Sequence, residues 1–141
     1  SELKEKGLAT CLAALPPNKK DACVIVIDTV GELKSMYRVA DAAFVGGSLI
    51  PHGGQNIMEP AGLGVPVLHG QHMYNFNDAM NILRSCQGAL EVTPATLVST
   101  LEKLFANRQS AADMAARARD GFLKAQGATE QAAQCVLDSC V

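Results

Sequence analysis

Charge is scarce in this sequence, and the scarcity excludes one class of partner at the outset. Charged residues make up 18% of the chain, against ~25% in an average soluble domain. Their signs nearly cancel, with 12 Lys and Arg against 14 Asp and Glu and a formal net charge of −2. A protein that binds nucleic acid through a strongly basic surface carries the opposite excess. Long apolar runs are missing too. The longest is Ala22 to Ile27, far short of the roughly 20 residues of a membrane helix. The polar start (Ser1, Glu2, Lys4, Glu5) leads into no apolar stretch, so no secretory signal is expected. Cys11, Cys23, Cys86, Cys135 and Cys140 are odd in number and contain no C-x-x-C pair. They predict inert, buried thiols in a reducing compartment, with neither a zinc knuckle nor a disulfide framework. His69 and His72 flank Gly70 with no third ligand at a useful spacing, which favours ordinary loop histidines over a metal pair.

What is present suffices for folding. At 141 residues and 48% hydrophobic, the chain predicts one compact domain burying roughly 70% of its unfolded surface. Low charge also suggests that some of this surface is normally covered.

Along the chain, short apolar runs alternate with helical periodicity. Ala22 to Ile27 is β-branched and reads as a strand buried on both faces. Asp41 to Val45 and Val65 to Leu68 read the same way, Ala89 to Val92 and Leu8 to Leu12 more weakly. Thr29 and Glu32 have capping-box spacing before a stripe of Leu33, Met36, Tyr37 and Ala40. Asn75 is placed to cap a helix with Phe76, Ala79, Met80 and Leu83 inward, and Thr93-Pro94 to open one with Leu97, Leu101, Leu104 and Phe105. Ser110 with Asp113 opens another, and Ala133, Val136, Leu137 and Cys140 mark a last helix. This order predicts an α/β fold: a Rossmann-like parallel sheet of four to five strands with helices on both faces and right-handed crossovers.

Ligands of such sheets bind beyond the carboxyl ends of the strands. Three of those ends are unusual: Asp28 to Glu32, Gly46 to Pro60, and His69 to Phe76. In the middle segment, the pairs Gly46-Gly47 and Gly53-Gly54 flank Ser48 and His52. Glycine lets backbone approach a ligand and lets N–H groups converge on it. A short helix then follows, with Asn56 as N-cap, Glu59 at the capping-box position, Pro60 in the first turn, and Gly64 and Pro66 at its end. A helix start behind two glycines favours an anion such as a phosphate or carboxylate. The same residues also suit plain tight turns and a plain cap. The pattern is neither G-x-G-x-x-G after the first strand nor a P-loop with its Lys, which disfavours dinucleotide oxidoreductases and P-loop NTPases.

Taken together, six motifs resemble the C-terminal domain of the 3-deoxy-D-manno-octulosonic acid (Kdo) transferases. They are Asp28-Thr-x-Gly-Glu-Leu33, Tyr37-x-x-Ala-Asp41, Ala43-Phe-Val-Gly-Gly-Ser-Leu49, Gly53-Gly-x-Asn-x-x-Glu-Pro60, Gly64-x-Pro-Val67 and His72-x-x-Asn-Phe76. Where that family usually has His before the central Asn and Pro before the second His, this chain has Gln55 and Gln71. Glutamine keeps a donor and an acceptor but does not titrate near neutral pH.

The resemblance implies the GT-B glycosyltransferase fold, with residues 1–141 a partial nucleotide-sugar-binding C-terminal domain lacking the N-terminal acceptor domain. It implies CMP-Kdo as donor and a lipid A precursor as acceptor, in lipopolysaccharide synthesis at the cytoplasmic face of the bacterial inner membrane. Membrane contact would come only through the full-length protein. Gly47, Ser48, Gly53, Gly54 and Gln55 would surround the donor's anionic groups, Asn56 would fix the loop, and Glu59 would accept hydrogen bonds from ribose hydroxyls. The Thr29, Gly31 and Glu32 turn would border the base. Transfer would be inverting, with no metal and no cofactor. The catalytic base would lie in the N-terminal domain, so none is expected within these residues, and the chain alone is expected to be inactive. Alternatives are a GT-B domain using a UDP-sugar, a non-catalytic nucleotide- or anion-binding module, and a purely structural domain.

Overall fold

The structure, a computed structural model, describes residues 10–12 and 24–139, and of residues 10–12 and 128–139 the backbone alone. The side chains of Cys11, Cys23, Cys135 and Cys140 thus lie outside the described residues, as do those of the helical stripe expected beyond Ala133. Where one domain is expected, contacts group the chain into two compact units, Ser1–Met36 and Tyr37–Val141.

In the first unit, β1 (Thr10–Leu12) pairs in parallel with β2 (Val24–Val26), Cys11 opposite Ile25. The run from Ala22 forms its strand, but not one buried on both faces: Ile25 is 46% and Val26 39% exposed. Among the described residues β2 pairs only with β1, so it is not the central strand of a larger sheet, the position that is buried on both faces. The stripe beginning at Leu33 folds as a short helix, α1 (Leu33–Tyr37), that reaches the boundary between the units and buries none of its residues.

The second unit holds a parallel sheet in the order β3 (Ala43–Phe44), β4 (Val67–His69), β5 (Ala89–Glu91). Among the described residues this sheet has three strands rather than the four to five expected, and β1 and β2 make up a two-stranded sheet within the first unit. The central strand β4 is buried throughout. Alternation along it sends Val67 and Leu68 into different cores. Val67 packs with Val45, Ile57, Ala61, Met73, Met80, Leu83 and Ala118, whereas Leu68 packs with Val92, Leu104, Ala111 and Met114. Helices therefore cover both faces, as an all-parallel sheet requires.

Those helices are α2 (Met58–Gly62), α3 (Asn77–Ser85), α4 (Leu97–Ala106) and α5 (Arg108–Ser139). Two helices were expected in the last stretch, yet one runs through it, passing Gly121 and Gly127 without a break. Its cap is Asn107, whose Oδ1 accepts the Ser110 N–H at 3.0 Å. Asp113 instead accepts from Gln109 Nε2 one turn away. This helix serves both cores, through Ala118 on one side and Ala111 and Met114 on the other. Among the described residues no helix is long and apolar enough to cross a membrane.

Candidate functional site

The carboxyl ends of β3 and β4 run into the two glycine-containing loops. Strand register places them: Ala43 lies opposite Val67 and Phe44 opposite Leu68. Extending that register beyond the strands sets Ser48 opposite His72, and the His72 N–H donates to the Ser48 carbonyl at 2.9 Å. Ser48 is fully buried. Its hydroxyl donates to the Val45 carbonyl and accepts the Gly70 N–H at 2.8 Å. Sequence reading put Ser48 among the groups around an anion. In the structure its hydroxyl is committed to joining the two loops.

Stitching continues along the loop pair. Tyr74 Oη donates to the Pro51 carbonyl at 2.9 Å, and the Asn75 N–H to the Gly53 carbonyl at 3.3 Å. Asn75 therefore does not cap the following helix. Phe76 holds the N-cap position of α3 without a side-chain bond, behind a 3-10 turn at Tyr74–Phe76.

Gly53 and Gly54 have φ of +96° and +77°, which L side chains rarely adopt. The space their side chains would fill is occupied by protein. A Cβ on Gly53 would collide with the Asn75 carboxamide, and one on Gly54 with the Met73 sulfur. At Gly47 (φ +68°) it would come within 3.0 Å of the His52 ring. These glycines thus let the loops close on each other, and a ligand would be met by backbone rather than by the vacated side-chain positions. The Gly54 N–H is used internally, on the Gly47 carbonyl at 3.2 Å. The next two residues are different. Gln55 and Asn56 are exposed, and among the described residues their N–H groups have no acceptor.

Asn56 sits one position ahead of its expected place. Helix α2 begins at Met58 with Ile57 at the N-cap. Asn56 Oδ1 still accepts the Met58 N–H at 3.1 Å, and its Nδ2 donates to Glu59 Oε1 at 3.0 Å. Glu59 therefore braces Asn56 through one oxygen, instead of reaching back to a backbone N–H. The far end of α2 closes as a Schellman motif on Gly64 (φ +73°), with Gly64 N–H to Ala61 O at 3.0 Å and Val65 N–H to Pro60 O at 3.1 Å. Near Glu59 lies Tyr37, which the sequence places in the helix stripe and in the motif Tyr37-x-x-Ala-Asp41 but assigns no role in the site. Burial, and secondarily the Glu59 carboxylate, raise the Tyr37 phenol above its ordinary 10.0.

Thr29, Gly31 and Glu32 belong to the first unit. There, Thr29 Oγ1 donates to Glu32 Oε2 at 2.6 Å, so the two side chains bond each other rather than capping backbone. The Ser35 and Met36 N–H groups donate to the Glu32 carbonyl, and Gly31 has φ +92°.

Among the described residues, three hollows lie away from the glycine loops. Hollows of about 730 Å³ and 200 Å³ are lined by Gln87 and Ala89 at the start of β5, and by Asp41, Gly64 and Pro66 ahead of β3 and β4. A third, of about 810 Å³, lies between the end of α3 and α5, lined by Arg84, Cys86 and Arg117. The first two open at the amino edge of the sheet, opposite the glycine loops. Ligands of parallel α/β sheets bind at the carboxyl edge, which makes the loops rather than these hollows the candidate site.

Fold and loops together define an α/β domain of the kind that forms the C-terminal half of GT-B proteins: a parallel sheet, helices on both faces, and glycine-rich backbone gathered at the carboxyl edge. The relatives narrow the class. The chain is 44% identical over 89 residues to the 3-deoxy-D-manno-octulosonic acid transferase of Haemophilus influenzae, covering 62% of this chain and 21% of that one. It is 40% identical over 98 residues to the transferase of the same name from Bordetella pertussis, covering 67% and 23%. Among solved structures, the C-terminal CMP-Kdo binding domain of WaaA from Acinetobacter baumannii matches with a TM-score of 0.77 and 27% identity, over 84% of this chain and 63% of that one. No protein-family model matches the chain. The motif resemblance to the C-terminal domain of Kdo transferases is thus borne out, in sequence and in fold. The chain spans less than a quarter of the length of the two transferases.

Proposed function

We propose that this chain is the donor-binding part of a glycosyltransferase that moves Kdo from CMP-Kdo to a lipid A precursor. The observation that carries this reading is the likeness to a domain described as binding CMP-Kdo. The site's chemistry supports it. A nucleotide sugar of this type is an anion, and Gln55 and Asn56 present uncommitted N–H groups beside a helix start at the carboxyl edge. Gly47, Gly53 and Gly54 shape that backbone, and Ser48 locks it from behind. Glu59, braced by Asn56, serves as acceptor for ribose hydroxyls.

Transfer is inverting: an acceptor hydroxyl attacks the anomeric carbon as CMP departs, and backbone donors rather than a metal receive the charge on the leaving phosphate. The general base and the acceptor site are supplied from outside these residues. The whole enzyme works in lipopolysaccharide synthesis of a Gram-negative bacterium, at the cytoplasmic face of the inner membrane.

Titration of isotope-labelled chain with CMP-Kdo, CMP and UMP, followed by amide shifts, tests the proposal. CMP-Kdo and CMP are expected to move Gln55, Asn56 and their neighbours, UMP more weakly. Equal or tighter UMP binding would favour a UDP-sugar enzyme, and shifts confined to the amino-edge hollows would overturn the site. The purified chain alone is expected to transfer no sugar.

A further inference from the structure

Three successive carbonyls of the glycine loop, those of Pro51, His52 and Gly53, are each held by the 74–75 dipeptide. Tyr74 Oη reaches Pro51 O at 2.9 Å, Asn75 Nδ2 reaches His52 O at a long 3.4 Å, and the Asn75 N–H reaches Gly53 O at 3.3 Å. The Asn75 carboxamide also fills the space vacated at Gly53. In a trans peptide plane the carbonyl and the following N–H point in opposite directions. Holding a carbonyl on the 74–75 side therefore aims the next N–H away from it. The held planes carry the N–H groups of His52, Gly53 and Gly54, the last of which donates to Gly47 O, so the backbone is anchored on both sides just ahead of Gln55 and Asn56.

We infer that Asn75 is a positioning residue for the donor site: its side chain, wedged on Gly53, anchors the backbone from which the Gln55 and Asn56 N–H groups extend to the donor's anionic groups. This rests on the proposed donor-binding function. Asn75 itself touches loop and not ligand. A purely structural role would show as lower stability, with unchanged loop geometry in the molecules that remain folded. A positioning role changes the loop amides and the affinity while the sheet stays as it is.

The test uses the full chain carrying Asn75→Ala, Asn75→Asp or Tyr74→Phe. Without ligand, Asn75→Ala is expected to move the Gln55 and Asn56 amide resonances and speed their hydrogen exchange, leaving those of Val67 and Leu68 in place. CMP-Kdo affinity of the folded chain should fall about three- to tenfold, as for one lost hydrogen bond. Asn75→Asp keeps the wedge and loses the Nδ2 donor, so it should fall between wild type and Asn75→Ala. Tyr74→Phe removes one exposed hydroxyl and should shift the same amides less. Should Asn75→Ala not fold, the other two variants carry the test. Unchanged Gln55 and Asn56 amides in every folded variant would overturn the inference even if the wild-type chain binds CMP-Kdo. Absence of CMP-Kdo and CMP binding by wild type would instead overturn the donor-binding function, with the ligand-free amides still reporting on the wedge.

Discussion

Replacing Ser48 with alanine removes one oxygen from the point where the loops after β3 and β4 are joined. The hydroxyl is fully buried, donates to the Val45 carbonyl and accepts the Gly70 N–H at 2.8 Å. Gly70 is itself buried, so its N–H would lose its partner without gaining water. The space left is that of a single oxygen, too small to hold a solvent molecule. An unsatisfied buried donor together with the lost bond costs about 2–3 kcal/mol. In a domain of this size that lowers the melting temperature by about 6–12 °C. Urea unfolding followed by circular dichroism measures the loss, and an unchanged m-value would show that the unfolded state is not responsible. A loss below about 0.5 kcal/mol, the range of an ordinary surface substitution, would refute the assignment of Ser48 as the joint.

Three further outcomes follow from the same geometry. Gly54→Ala combines left-handed backbone strain with overpacking on Met73 and should cost about 2–4 kcal/mol; measured by chemical denaturation in a Met73→Ala background, which itself loses core packing, the same substitution should cost less by the packing share alone. Gln87, at φ +51°, closes a Schellman motif in which the Gly88 N–H reaches Leu83 O at 2.8 Å. Gln87→Gly should accordingly stabilise the chain by about 0.5–1 kcal/mol in urea titration. The raised Tyr37 pKa means that the folded state holds its phenol proton more tightly than the unfolded chain. That stabilisation is complete below the ordinary value of 10.0 and is lost as pH rises through the raised one. Glu59→Gln should lower the Tyr37 titration seen by phenolate absorbance, but not fully to 10.0, because burial is the larger cause. An unchanged titration would separate the two groups.

Features written over a few residues were legible in the sequence. Gly64 was placed at the end of α2 because left-handed closure needs a residue without a Cβ, and Asn56 and Glu59 were paired by their spacing. Even so, the cap position slid by one residue, since helix starts are chosen among near-equal hydrogen-bond patterns. The start of α5 is read three residues late because Ser110 and Asp113 imitate a cap that Asn107 supplies, and the stripe from Ala133 is read as a separate helix although Gly121 and Gly127 do not interrupt α5. Asn75 was misread for a related reason. An asparagine before an apolar stripe is a good local cap, and nothing nearby in sequence reports that Gly53 will lie beneath it.

The amino-acid sequence by itself determined the alternation of strands and helices, the parallel sheet, the glycine-rich loops at its carboxyl edge and the resemblance carried by their motifs. Periodicity and turn chemistry act within a few residues, so they can be read along one line of text. Only the tertiary structure decided that Ser48 faces inward, that Asn75 and Met73 fill the space beside Gly53 and Gly54, and that Gln55 and Asn56 keep N–H groups with no acceptor among the described residues. Those outcomes depend on the register of β3 against β4. It brings together residues more than twenty positions apart, and the fit of one loop on the other then settles which polar groups are used up and which stay open.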